Sequence, residues 1–279
     1  MWTMLLDQLS TLSHPERMRV FRLLMRRCPD AVPAGEVAQV LGFKPSTTSV
    51  YLSALQKAGL IHHTRDGNSL RYAVKLDGAR DMVAQLFTDC CNGRPDLCPP
   101  AMVDPLQRMA PMSDHKHNVL FICTGNSARS ILAEAIMRHE AGDRFNVYSA
   151  GTKPFSELNP FAVEMLAGKG IETSSLRAKN VSEFQGPDAP HLDFVFTVCD
   201  LAANEECAAW EGQPISAHWG LPDPVKAEGT DAEKRLAFQH TFGAMRNRII
   251  AFTALPLDTL SRASLQNEVD EIGRTKEDT

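Results

Sequence analysis

The chain has 279 residues, 43% of them hydrophobic, and a formal net charge of −5 at pH 7. This length and apolar content suffice for two modest domains, each with its own core. No run of eighteen apolar residues occurs and the start of the chain lacks the pattern of a secretory signal, so we expect a cytoplasmic protein that neither spans nor binds a membrane.

The charge is distributed unevenly along the chain. Residues 1–100 carry twelve Lys or Arg and nine Asp or Glu, a net charge of +3, whereas the remainder has a net charge of −8. The mildly basic first third is compatible with nucleic-acid binding. The acidic charge of the remainder disfavours nucleic-acid binding there. Seven cysteines are present, and in a reducing compartment we expect thiols that bind metals or react rather than structural disulfides.

Three helices are predicted in the first sixty residues. They cover 14–28, 33–41 and about 46–58, and Ser46 or Thr47 is expected to cap the third. Four apolar residues fall on one face of the first helix at helical spacing: Met18, Phe21, Leu24 and Met25. The second and third helices are short and separated by a turn, an arrangement that is compatible with a helix-turn-helix.

A hairpin is predicted after the third helix, because two alternating segments flank the turn Asp66-Gly67-Asn68, and residues 78–91 return to helix. This order is typical of a winged helix-turn-helix domain; the alternative is a small helical domain whose hairpin has no role. The DNA-binding interpretation is favoured because the first half of the third helix is polar, and the N-terminal residues of a recognition helix are the ones that reach base edges. The arginines of the hairpin lie where a wing would meet phosphates. The candidate DNA-binding residues are Ser46, Thr47, Thr48, Ser49, Tyr51, Arg65 and Arg71.

A stretch rich in proline and polar residues follows, over 92–116, and marks a linker. We place the first domain at 1–98, the linker at 99–116, a second domain at 117–262 and a polar tail at 263–279. The second domain alternates strands with helices, which predicts a parallel four-stranded sheet flanked by helices, an α/β fold. The predicted strands are 117–123, 145–151, 193–199 and 214–219, and the helices are 131–142, 158–169 and 231–251.

An anion-binding loop is predicted where the strand at 117–123 meets the following helix. The sequence from Cys123 to Ser130 has the form C-x5-R-S. Backbone N–H groups of such a turn, the helix N-terminus and the planar fork of Arg129 suit a tetrahedral oxyanion. The loop residues are Thr124, Gly125, Asn126, Ser127, Ala128 and Arg129.

Cys123 is the candidate nucleophile of this loop. The positive field of the loop is expected to lower its pKa, and Ser130 to donate a hydrogen bond to its thiolate. Asp223, on a proline-braced loop, is the candidate general acid. The alternative is a buried cysteine and a surface arginine that are six residues apart by chance, which the strand, motif and helix together disfavour.

Residues 117–255 resemble the arsenate reductase branch of the low-molecular-weight protein tyrosine phosphatase superfamily. The resemblance rests on CTGNSARS at 123–130, SAGT at 149–152, TVCD at 197–200 with a later Cys207, and HWGLPDP at 218–224. It implies arsenate as substrate, with Cys123 as nucleophile, Cys199 as second thiol and Cys207 as third, and thioredoxin or glutaredoxin as reductant. No tightly bound cofactor is implied, although an alkali-cation site of some relatives matches Asn126, Glu134 and Ser149.

Three residues depart from the patterns of these families. Tyrosine phosphatases place aromatic residues where this chain has Val225, and commonly a proline where it has Ile131, so both differences favour the reductase. Ala208 follows Cys207 where a proline is expected in reductases, which bears on how the third thiol moves.

A second group of thiols, Cys90, Cys91 and Cys98, lies at the end of the first domain. Three soft thiolates suit As(III), whereas zinc would need a fourth ligand such as His115 or His117; cysteines without a role are the other alternative.

Residues 10–98 resemble the ArsR family of dimeric winged-helix repressors, some of which sense arsenite with such a C-terminal cysteine group. The resemblance implies operator DNA as partner and a homodimer formed through residues 2–12 and the helix that carries Cys90. The chain is thus interpreted as an arsenite-responsive repressor fused to an arsenate reductase; the alternative is a DNA-binding regulator whose second domain is a phosphatase or a non-catalytic oxyanion sensor.

Overall fold

A computed structural model describes residues 2–90, 116–186, 188–205, 210 and 212–275. The chain divides into two compact units, Met1–Gln107 and Arg108–Thr279. This division falls within the predicted 99–116 linker, nearly all of which lies outside the described residues. No helix in the described ranges is both long and apolar enough to cross a bilayer.

The N-terminal unit is a helical domain with a small antiparallel sheet, whose strands lie in the order Val32–Pro33, Ser69–Val74 and Ile61–Asp66. Its elements are α1 (Trp2–Leu12), α2 (Pro15–Arg26), β1 (Val32–Pro33), α3 (Ala34–Leu41), α4 (Pro45–Lys57), β2 (Ile61–Asp66), β3 (Ser69–Val74) and α5 (Leu76–Gln85), followed by a π-helical turn over Leu86–Cys90. Strands β2 and β3 pair across Gly67-Asn68, and Gly67 has a φ of 57° that suits glycine. The predicted order of a winged helix-turn-helix is confirmed.

Two local predictions in this unit need correction. The N-cap residue of α4 is Lys44, which makes no side-chain capping hydrogen bond, and not Ser46 or Thr47, because Pro45 occupies the first helical position, where its missing N–H costs nothing. The predicted face of α2 is wrong in part: Leu24 is buried and Phe21 packs against the core, but Met18 and Met25 are exposed. The other buried residues of α2 are Val20 and Leu23.

The C-terminal unit is built on a four-stranded parallel sheet, as predicted. The strands lie side by side in the order Phe145–Gly151, His117–Cys123, Phe194–Thr197 and Ile215–His218. Its elements are β4 (His117–Cys123), α6 (Arg129–Ala141), β5 (Phe145–Gly151), α7 (Pro160–Gly168), β6 (Phe194–Thr197), α8 (Asp200–Asn204), β7 (Ile215–His218), α9 (Asp231–Thr253) and α10 (Arg262–Arg274). Because the strands are parallel, the residues that follow β4, β6 and β7 meet at one edge of the sheet.

The predicted polar tail at 263–279 is wrong as far as residue 274. Residues Arg262–Arg274 form α10, which Ser261 caps and which buries Leu265, Val269 and Ile272. The Trp219 indole Nε1 donates to the Val269 carbonyl oxygen at 2.9 Å. The second domain therefore continues through α10, and residues 276–279 lie outside the described part.

Candidate active site

The loop between β4 and α6 has the geometry expected of an anion-binding turn. The carbonyl groups of Cys123, Thr124 and Gly125 accept hydrogen bonds of 2.9–3.1 Å from the backbone N–H groups of 152, 153 and 155. These carbonyl groups are therefore hydrogen-bonded to the segment 152–155. The Asn126 N–H donates to the Cys123 Sγ at 3.1 Å. Asn126 adopts a left-handed φ of 44°, which helps to turn amide groups toward one centre.

Cys123 lies at the end of β4, buried at the base of this loop. Its Sγ is 2.9 Å from the Ser130 Oγ, as the sequence predicted. Burial raises the pKa of the Cys123 thiol, the neighbouring Cys199 adds to this, and hydrogen bonds from Ser130 and Asn126 oppose it without reversing it. The expected lowering of the Cys123 pKa is therefore wrong.

Replacing Ser130 by Ala is expected to raise the pKa of Cys123 further, because the hydroxyl stabilises the thiolate. A hydrogen bond to a charged group contributes about 1.5–3 kcal/mol, so alkylation of Cys123 by iodoacetamide at pH 8 should slow about tenfold or more. The wild-type rate should still be climbing with pH above 9. Mass mapping of the modified Cys123 follows the reaction, with Ser182→Ala as control; an equal rate in Ser130→Ala would contradict this role.

A buried polar network supports the loop from below. The Asn126 Nδ2 donates to Ser130 Oγ at 2.9 Å and to Ser149 Oγ at 2.8 Å, and Ser149 donates to Glu134. Lys179 completes the network: its N–H donates to Asn126 Oδ1 at 2.7 Å, and its Nζ lies 2.9 Å from Glu134 Oε2. The three residues matched to an alkali-cation site are thus brought together, and an ammonium group already lies against their carboxylate.

Sequence reasoning missed Lys179. It lies in an irregular segment, 53 positions from Asn126, and no local motif marks it. What points to a residue such as Lys179 is its partner Glu134, because a carboxylate that is almost fully buried needs a cationic partner. Arg138 is the second such partner.

Arg129 and Asp223, the predicted anion clamp and general acid, are paired. The Arg129 Nη2 lies 2.9 Å from Asp223 Oδ2, and its Nη1 donates to the Leu221 carbonyl oxygen at 3.1 Å. The other Asp223 carboxylate oxygen accepts from the Val225 N–H at 3.3 Å. Arg129 therefore holds the segment that carries the acid beside the anion loop.

Cys199, the predicted second thiol, lies beside the loop as well. It is buried, and its Sγ is 3.5 Å from the Thr124 Oγ1. The same sulfur caps α8 by accepting a hydrogen bond from the Ala202 N–H at 3.4 Å. The predicted third thiol, Cys207, lies outside the described residues.

The candidate DNA-binding residues divide into exposed and packed groups. Ser46, Ser49 and Arg65 are exposed, and Thr47 is half-buried. Thr48 is buried and its Oγ1 donates to the Lys44 carbonyl oxygen at 3.1 Å, so its prediction as a base-contacting residue is wrong.

Two further candidates contact other residues of the unit. The Tyr51 ring packs 5.5 Å from Phe43, and Arg71 pairs with Asp66 across the hairpin at 2.9 Å. Cys90, the first of the three predicted arsenite ligands, is exposed at the end of the π-helical turn. Cys91 and Cys98 lie outside the described residues.

Comparison with known proteins gives two family matches. Residues 118–269 match the family described as low molecular weight phosphotyrosine protein phosphatase, and residues 12–64 match a helix-turn-helix domain. The first match covers more than half of the chain.

Curated relatives resemble the C-terminal part. An arsenate reductase of Bacillus licheniformis is 40% identical over 138 residues, which are 49% of this chain and 95% of that protein. One from Halalkalibacterium halodurans is 37% identical over 138 residues, 50% of this chain and 96% of that protein. The crystal structure of arsenate reductase from Archaeoglobus fulgidus aligns with a TM-score of 0.37 and 22% identity, over 47% of this chain and 98% of that one. By its family match and the two curated relatives, the chain belongs to the low molecular weight phosphotyrosine protein phosphatase family, with a helix-turn-helix domain on its N-terminal side.

Proposed function

We propose that the C-terminal unit reduces arsenate to arsenite. The observation that carries the proposal is the second thiol: Cys199 Sγ lies 3.5 Å from the Thr124 Oγ1, at the same loop as Cys123. Phosphate-ester hydrolysis through a covalent intermediate needs one nucleophilic thiol, whereas a two-electron reduction needs two thiols that become a disulfide. The arsenate reductases among the relatives support the same reaction.

The first step forms a bond between the Cys123 sulfur and the arsenic of arsenate. Arg129 binds two oxygens of the oxyanion with its planar fork, which requires that the oxyanion displace Asp223 from the guanidinium. The released Asp223 carboxylate accepts the proton of the Cys123 thiol and transfers it to the departing oxygen, which leaves as water. Ser130 stabilises the Cys123 thiolate that forms.

The second step is the reduction itself. The Cys199 sulfur attacks the Cys123 sulfur, the sulfur–arsenic bond breaks, and its electron pair stays on arsenic, which leaves as arsenite. Cys207 then attacks Cys199, which restores the Cys123 thiol and leaves a Cys199–Cys207 disulfide. A dithiol protein, thioredoxin or glutaredoxin, reduces this disulfide by thiol–disulfide exchange. Each cycle therefore consumes one dithiol and one arsenate.

The experiment that tests this proposal supplies thioredoxin and glutaredoxin in turn, each with its own reductase system, and measures arsenite release from arsenate. Multiple turnovers with one of the two donors are expected. If neither donor supports more than one arsenite per chain while aryl-phosphate hydrolysis proceeds, the unit is a phosphatase and the proposal is wrong.

We further propose that Lys179 takes the place of an alkali cation beside Glu134, because its Nζ lies 2.9 Å from Glu134 Oε2. The melting temperature of the wild-type protein should then be the same in KCl and in tetramethylammonium chloride. Lys179→Met should melt lower and regain part of the loss in KCl. Lys169→Met, which alters a lysine placed over the Phe242 ring, is the control. If K⁺ raises the melting temperature of the wild-type protein, the proposal that Lys179 takes the place of the cation is wrong.

For the N-terminal unit we propose an arsenite-responsive repressor that acts as a homodimer on operator DNA. Its support is the helix-turn-helix match and the exposed Cys90 at the end of the helix that follows the hairpin. Arsenite made at Cys123 would bind Cys90, Cys91 and Cys98 and shift the unit away from its DNA-binding state.

Replacing these three cysteines by Ser should remove the response to arsenite without weakening the binding of DNA. Each lost thiolate removes one strong bond to As(III), so the arsenite concentration that releases operator DNA should rise at least tenfold. Fluorescence anisotropy of labelled operator measures this, with Cys28→Ser as control. Release at the wild-type concentration in the triple variant would contradict arsenite sensing at this site.

A further inference from the structure

Val50 is an exposed apolar residue on the outer face of α4. Its relative exposure is 64%, the highest among the large apolar side chains that the structure describes in the N-terminal unit. The opposite face of α4 packs into the unit through Thr48, Leu52 and Leu55, which are all buried. Because each helical residue turns by about 100°, Val50 lies about 200° from both Thr48 and Leu52. Its side chain therefore points away from the core.

The hydroxyl groups beside Val50 are hydrogen-bonded within their own helix. The Ser49 Oγ donates to the Pro45 carbonyl oxygen at 3.0 Å, and the Thr48 Oγ1 donates to the Lys44 carbonyl oxygen at 3.1 Å. Such bonds from a side chain to the preceding turn use up the hydroxyl proton. The middle of the exposed face of α4 thus offers the two methyl groups of Val50 rather than side-chain donors.

The charges around this face suit a polyanion. Helix α4 contains no Asp or Glu. Lys44 precedes the helix, Lys57 is its last residue, and both are exposed. Arg65, on the hairpin, is exposed as well. Lysine and arginine side chains at such positions bind the phosphate oxygens of DNA, which places a helix in a groove without selecting a sequence. Val50 lies between the two lysines, where the helix faces the bases.

Thymine is the base that suits an apolar side chain in the major groove. Adenine, guanine and cytosine present donors and acceptors there, whereas thymine adds a 5-methyl group to its acceptor. A valine cannot satisfy a donor or an acceptor, and covering one without a hydrogen bond costs free energy. Contact with a methyl group has no such cost and removes apolar surface from water.

We propose that Val50 contacts the 5-methyl group of a thymine in the major groove of the operator and makes that base a preferred one. The inference rests on the proposed DNA-binding function of the N-terminal unit and adds to it one residue and the base that it selects. Lys44 and Lys57 contribute affinity for any sequence, whereas Val50 contributes selectivity. In the proposed homodimer the contact occurs once in each half-site.

The test removes the methyl group of the base. The probe is a duplex that the full-length protein selects from a random library, in which each thymine is replaced in turn by deoxyuridine. Deoxyuridine pairs as thymine does but lacks the 5-methyl group. Fluorescence anisotropy at one salt concentration gives Kd. At one thymine position the wild-type protein should bind about fourfold more weakly per half-site, the factor for one buried methyl group. 5-Bromodeoxyuridine, whose bromine is of similar size, should restore binding there.

Val50→Ala removes the other side of the same contact, and it should fold because the side chain is exposed. It should bind the thymine duplex at least as weakly as the wild-type protein binds the deoxyuridine duplex. Replacement of that thymine by deoxyuridine should then change its Kd by less than twofold, since the two changes remove one interaction. Leu236→Ala, at an exposed leucine of α9 in the other unit, is the control and should bind as wild type does.

Two negative outcomes are distinguishable. If no thymine is sensitive to deoxyuridine, or if Val50→Ala and the wild-type protein lose the same factor at every thymine, the inference is overturned while DNA binding stands. If the full-length protein enriches no sequence from the library, operator binding itself fails and the inference with it.

Discussion

Cys123→Ser is expected to abolish arsenate reduction, with a loss of at least about a thousandfold. A serine hydroxyl in the same buried position has no accessible anion at neutral pH, and it cannot become part of a disulfide. The substitution changes one atom at the base of the loop, where Ser130 and the Asn126 N–H both contact the sulfur. Arsenite release measured with a coupled dithiol reductant and by single-turnover quench should both fall below detection.

Cys199→Ser should separate reduction from hydrolysis. It leaves the anion loop, Arg129 and Asp223 unchanged, so p-nitrophenyl phosphate hydrolysis should persist within a few fold of the wild-type rate. Arsenite formation should stop, because the described part of the chain then holds no second thiol beside Cys123 to take up the oxidation. Cys28→Ser, in the N-terminal unit, should behave as wild type in both assays. If Cys199→Ser retains multiple-turnover reduction, the relay through Cys199 is wrong.

The parts of the site that a local pattern encodes were predictable from the sequence. The strand, loop and helix from His117 to Ala141 form one continuous segment, and the spacing between Cys123 and Arg129 determines which groups face the anion. The hairpin around Gly67 is equally local, since its two-residue turn sets the register of the strands. In both segments, hydrophobic periodicity and turn chemistry indicate the same structure.

The parts that depend on packing were not predictable. The pKa of Cys123 follows from how deeply the sulfur is buried, which a motif does not reveal. Thr48 is polar yet buried, because its hydroxyl bonds to its own helix. Helix α10 has a narrow apolar stripe of Leu265, Val269 and Ile272 among charged residues, so its composition resembled a tail. Long-range partners such as Lys179 appear only when the chain is folded.

Asp223 illustrates how these levels combine. Its Asp-Pro sequence is by itself only a turn signal, and an anion loop needs an acid somewhere. Arg129 pairs with Asp223 at 2.9 Å, so in the proposed mechanism one arginine has two tasks, binding the oxyanion and holding the acid segment at the loop. We therefore expect the oxyanion and Asp223 to compete for the same guanidinium, and substrate binding to free the Asp223 carboxyl group for proton transfer.

Arg129→Lys is accordingly expected to lower kcat/KM for arsenate about a hundredfold or more. A lysine ammonium is a single point of charge, so it cannot bind two oxygens in a plane, and preorganised donors of this kind contribute about 3 kcal/mol to a transition state. It also cannot reach Asp223 Oδ2 and the Leu221 carbonyl oxygen together. Steady-state arsenite release measures the loss, and p-nitrophenyl phosphate should show a similar one.

Asp223→Asn distinguishes the two tasks of Arg129. Loss of the acid should slow phenyl phosphate, a poor leaving group, at least tenfold more than p-nitrophenyl phosphate, whose leaving group needs little protonation. Loss of the guanidinium should slow both esters, because it removes oxyanion binding as well. Arg235→Lys, at an exposed ion pair with Glu164, is the matched control and should stay within twofold of wild type. Retention of more than a tenth of the activity by Arg129→Lys would mean that backbone amides alone bind the oxyanion and that the arginine serves only to hold Asp223.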